Sequence, residues 1–100
     1  MKAIRVIPGR RPELIQVDNA LKALQEQVGG RIETISIDKN LVGIVNEEMI
    51  LLSLPYNGRI GDQHIFGTLL VVGLNGEEFC DVPENASFEM MRPMAHPGNV

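Results

Sequence analysis

The sequence predicts an α+β fold: a mostly antiparallel sheet of about six to seven strands in the order β-β-α-β-β-β-β, with one main helix packed on it and a short C-terminal helical segment. Three observations carry that expectation. Apolar residues make up 44% of the 100-residue chain, yet it has only three Phe, one Tyr and no Trp, so Ile, Val and Leu must build the core. Several short segments alternate apolar and polar residues. One segment alone carries the period of an amphipathic helix.

"KAIRVIP" opens the chain as a strand, with Ile4 and Val6 on one face and Arg5 on the other. Pro8-Gly9 stops it, "GRRP" turns, and "ELIQVD" returns with Ile15 and Val17 on a common face, which completes an antiparallel hairpin. In "DNALKALQEQVGG" the period changes: Leu21, Leu24 and Val28 form one apolar stripe that Ala20 and Ala23 widen. Asp18 or Asn19 supplies a cap, and Gly29 offers the left-handed conformation that ends a helix. The narrow stripe suits a helix lying across a sheet.

"RIETISID" returns to alternation, with Ile35 and Ile37 on one face, and Lys39-Asn40 turns. "LVGIVN" and "MILLSLP" read as two strands joined through Glu47-Glu48. "YNGRIGDQH" is rich in turn formers and reads as a loop. "IFGTLLVVGL" lacks alternation, as a strand buried on both faces does, and Gly67 within it marks a bulge or a close backbone approach. "EFCDV" gives a short final strand, and "PENASFEMMR" one or two helical turns. These elements form one domain over residues 1–92, and "PMAHPGNV", residues 93–100, reads as a loose tail.

The set "LKALQEQVGGRIE" with its Asp18-Asn19 start, "NEE", "LPYN" with a nearby Arg, "GTLLVVG" and "GEEF", in that order, resembles a small family known only as a domain of unknown function and met in phages, plasmids and conjugative elements. The resemblance covers residues 1 to about 80, and "ENASFEMMRPMAHPG" departs from the family's better-formed C-terminal helix. It implies a fold and a genomic setting. Proteins of that setting are often accessory factors that bind, block or mimic host components, including host defence.

Charge and cysteine content narrow the function classes. A net charge of −4 opposes attraction to phosphate backbones, so nucleic acid is an unfavoured partner. One cysteine, Cys80, excludes an internal disulfide and a multi-cysteine zinc site. "MKAIRVIPGR" has no signal-peptide character and no apolar run spans a bilayer, so a cytosolic protein without membrane contact is expected, in the host cytoplasm if phage-encoded.

No catalytic constellation assembles from spacing, and no cofactor or metal is implied. Adjacent Glu47 and Glu48 point apart in a strand and into water in a turn, so they make a poor acid/base pair. Thr68, Ser53 and Cys80 lack any spacing that ties them to His64. "GGRIE" follows its helix, whereas a phosphate cradle precedes one. In "LPYNGR", by contrast, Tyr56 and Arg59 fall close together: a ring and a guanidinium fork able to grip a base and an anion, unless Arg59 pairs with Asp62 instead.

Tyr56, Asn57 and Arg59 are therefore the first candidate contacts for a ligand or partner, with Asn46, His64 and Thr68 as additions. The expected function is non-enzymatic binding of a host protein or a small anionic ligand. A small nucleotide-acting hydrolase using Glu47 or Glu48 with His64, and a structural oligomer built through open strand edges or Met90, Met91 and Met94, are the alternatives.

Overall fold

In the computed structural model, residues 1–84 and Ala86 are described, and they are mainly β, with strands antiparallel throughout. The strands are β1 (Lys2–Val6), β2 (Glu13–Gln16), β3 (Ile32–Asp38), β4 (Leu41–Asn46), β5 (Tyr56–Ile60), β6 (Gln63–Phe66), β7 (Leu69–Asn75) and β8 (Glu78–Cys80). A single helix, α1 (Leu21–Val28), lies between β2 and β3. The α+β expectation is thus corrected to a mainly-β fold, because only eight described residues keep the helical period while two further strands come from the glycine-rich stretch after Pro55. The helical segment expected in "PENASFEMMR" falls mostly outside the described residues, and the tail at 93–100 wholly outside them.

The main sheet runs β2-β1-β7-β4-β3, and β7 is its axis. Its first half pairs with β1 through Ile4↔Val71 and Val6↔Leu69; its second half pairs on the same side with β8 through Gly73↔Cys80. β4 occupies the whole other side, from Leu41↔Gly73 to Ile44↔Leu70. β5 and β6 form a separate two-stranded ribbon.

Alternation along the central strands sorts side chains into two cores. Ala3, Val42, Ile44, Leu70 and Val72 face α1, where Leu24 and Val28 close over them. Ile4, Val6, Leu41, Val45, Leu69 and Val71 face the opposite way, onto Met49 and Ile65, with Leu54, Ile60 and Phe66 at the margin. The sheet is therefore covered on both faces, which is why β4 and β7 read as unbroken apolar runs. Gly43 makes the second covering layer possible: a methyl there would stand 3.0 Å from Leu69 Cδ1 and 3.4 Å from Ile60 Cδ1.

α1 ends as its sequence predicts, with Gly29 at φ 83° donating its N–H to Gln25 O. Its start differs. Ala20 is the N-cap and no side chain caps it; Asn19 instead donates to Phe79 O at 2.9 Å, tying the helix start to β8.

Three further expectations are corrected. "MILLSLP" is no strand: residues 47–53 coil into consecutive turns, with Leu52 N–H donating to Glu48 O and Leu54 N–H to Met49 O. "YNGRIGDQH" is no loop, since Tyr56↔Phe66, Arg59↔His64 and Ile60↔Gln63 pair across a two-residue connection at Gly61-Asp62. "IFGTLLVVGL" is two strands, broken at Gly67-Thr68. Gly67 has φ 82° and lies so close to Leu54 that a methyl would sit 2.7 Å from its Cδ1.

Candidate functional site

The ribbon collects three of the six candidate residues on one face. In an antiparallel pair, directly opposed residues share a face, so Arg59 with His64 and Tyr56 with Phe66 lie together, while Ile60 and Ile65 point to the core. An irregularity between Tyr56 and Gly58 lets Tyr56 keep that face despite the shift in count. Tyr56 stacks edge-on against Phe66 with centroids 5.3 Å apart at 66°. Its hydroxyl is 2.9 Å from His64 Nδ1, and the two rings are 5.6 Å apart. Phe66 and Tyr56 are half-buried; His64 and Arg59 are exposed.

Arg59 does not pair with Asp62. The only ion pair among the described residues joins Arg5 to Glu13, at 2.6 Å. The result is an aromatic ledge with a solvated guanidinium across from its imidazole, mounted on a ribbon that Ile65 and Ile60 anchor to the core.

Asn57 and Asn46 are corrected: both serve the interior. Asn57 is fully buried, and its Nδ2 donates to Val6 O and to Gly67 O, each at 2.8 Å. It clamps the ribbon to β1 and to the break before β7, leaving Oδ1 buried without a partner among the described residues. Asn46 is 2% exposed. Its Nδ2 donates to Val28 O at 3.1 Å, and its Oδ1 accepts from Glu48 N–H at 2.7 Å, joining the end of α1 to the turn after β4. A polar side chain buried this deeply requires hydrogen-bond partners, and these bonds supply them. Thr68 is half-buried between β6 and β7.

Reasoning from sequence missed a second feature. Glu47 and Glu48, with Glu33 of β3, line an open groove of about 550 Å³. Its remaining lining is Ile35, Met49, Ile50, Leu51 and Gln63. The signal was the run "EEMILL": acids followed by large apolar residues with no period of two. Among the described residues no three His, Cys, Asp or Glu side chains are grouped to hold a metal ion. Cys80 is a half-buried free thiol on β8. No helix of the described residues is long and apolar enough to cross a membrane.

Comparison with family models matches residues 1–93 to the family described as "Domain of unknown function (DUF3846)". No curated protein and no solved structure matches the chain.

Proposed function

The chain belongs to the DUF3846 family, a domain of unknown function, and from that premise and the geometry of the ribbon we propose that it is a non-enzymatic binding protein for a small anionic, nucleotide-like ligand. The observation that carries the reading is the outward face of the ribbon, where exposed Arg59 stands opposite His64 beside the Tyr56–Phe66 pair. An aromatic ledge offers a stacking surface to any base, and a guanidinium offers two parallel N–H donors to a phosphate or carboxylate. The net charge of −4 disfavours a long polyanion, so a single small anion fits the chain better than nucleic acid. The resemblance to families of phages and other mobile elements gives this binding a setting: sequestering a host signal, and thereby blunting host defence.

Thermal-shift screening of the full chain with cyclic and linear nucleotides tests the proposal. A ligand at a hundred times its Kd stabilises by about 2.7 kcal/mol, which for a domain this small raises Tm by roughly 10–20 °C. Arg59→Ala abolishes the shift and leaves the unliganded Tm within a few degrees, because Arg59 is exposed and makes no ion pair among the described residues. No shift with any nucleotide, or a shift that survives Arg59→Ala, refutes the assignment. Nucleotide turnover that is lost in Glu48→Gln would replace binding with hydrolysis.

A further inference from the structure

Three consecutive large apolar residues, Ile50, Leu51 and Leu52, are 71%, 77% and 51% exposed. Single exposed leucines need no explanation, but an exposed apolar run marks a contact surface. These residues belong to a defined turn, not to a frayed end. Met49 is anchored in the core, Leu52 N–H and Ser53 N–H donate to Glu48 O and Ile50 O, and Ser53 is held at φ 53°, an unfavourable backbone angle for a residue with a side chain. The turn holds the run out into water beside the groove rimmed by Glu33, Glu47 and Glu48, whose lining contains no Lys or Arg among the described residues.

The third observation is the neighbouring strand. β3 ends the main sheet and pairs only with β4 among the described residues, so its outer N–H and C=O groups are free to accept another strand. Ile35 and Glu33, which line the groove, sit on that strand. We propose that this groove docks an extended segment of another protein that carries both Lys or Arg and large apolar residues at every second position, on the one strand face that meets the groove. The segment adds to β3 as a further strand, sets its apolar side chains on Ile50 and Leu51, and meets the three carboxylates with its cations. The acidic rim excludes an anionic occupant, and a second copy would bring carboxylates against carboxylates. This surface is separate from the Tyr56–Arg59–His64 face and stands whether or not that face binds anions.

Selection of random displayed peptides against the full chain, followed by synthesis of the recovered sequences, tests the proposal. The recovered peptides should carry Lys or Arg two residues away from Leu, Ile, Val or Phe, so that both share a strand face, and should weaken as salt is raised. They should protect amides of residues 32–36 from hydrogen exchange. Binding should fall at least about tenfold in Leu51→Ser and in Glu47→Lys, and both variants should keep the wild-type circular dichroism because both positions are exposed. Arg59→Ala should leave peptide binding unchanged. Failure to recover a binder, recovery of acidic or uncharged binders, or binding indifferent to Leu51→Ser overturns the proposal. So does a dimer in sedimentation that Leu51→Ser dissociates, which would give the groove to a second copy.

Discussion

Replacing Asn46 separates a structural role from a contact role, and its cost follows from two hydrogen bonds. In Asn46→Ala the Val28 carbonyl loses the Nδ2 donor at 3.1 Å and the Glu48 amide loses the Oδ1 acceptor at 2.7 Å. The bond to the Glu48 amide contributes about 1 kcal/mol net, and losing the bond to the Val28 carbonyl costs about 1–3 kcal/mol because that carbonyl is left buried and unpaired. The expected loss is therefore roughly 2–4 kcal/mol, a large share of the roughly 5–15 kcal/mol that holds a domain of this size together. Tm should drop by about 10–20 °C.

Asn46→Asp sharpens the test. It keeps an acceptor for Glu48 N–H but turns a second oxygen toward Val28 O, in a site only 2% exposed. Burial beside a carbonyl disfavours the carboxylate and raises its folded pKa above the unfolded value. Such a group stabilises below the unfolded pKa, and that contribution is lost as pH rises through the folded pKa. Relative to wild type, Asn46→Asp should be milder near about pH 4 and worse near about pH 7.5, whereas Asn46→Ala should show no such slope. Urea titrations followed by far-ultraviolet circular dichroism at both pH values measure this. An Asn46→Ala loss below about 0.5 kcal/mol, or identical pH profiles for the two variants, refutes the reasoning.

Three glycine substitutions probe the ribbon, the axis strand and the turn after it by the same urea titration. In Gly73→Ala the new methyl would run into Asp81 O and lie 2.8 Å from Cys80 Sγ, so β8 must shift; the loss should be about 1–3 kcal/mol or more. Gly67→Ala combines φ 82° with a 2.7 Å approach to Leu54, whereas Gly76→Ala meets nothing within 4 Å at φ 65°. Gly76→Ala should cost only the roughly 1–2 kcal/mol of a left-handed residue, and Gly67→Ala clearly more; equal losses would show that Leu54 simply yields.

How far the fold could be read before the structure depended on whether local pattern and burial agreed. α1 and the paired strands β1, β2, β3 and β4 were legible because stripe, alternation and turn residues pointed the same way. The second layer was not. "MILLSLP" looks like a buried strand by composition, yet Ile50, Leu51 and Leu52 face water, so apolar content misled where period was absent. "YNGRIGDQH" looks like a loop because Gly58, Gly61 and Asn57 are turn formers, but Gly61 makes the connection and Asn57 works as a buried clamp. That Tyr56 and Arg59 are near in chain position was legible, but that they share a face was not. Their partnership with His64 and Phe66 needed the strand register, which no local pattern carries.

The position of β7 at the centre of the sheet has a consequence for biosynthesis. When residues up to 68 have left the ribosome, β1–β2 and β3–β4 can each zip up as neighbours, but no strand bridges the two hairpins. Only residues 69–75, sliding between β1 and β4, fuse them into one sheet. Pairings that distant in sequence make for slow folding, with a nascent interval in which raw edges are open to a chaperone or to a neighbour.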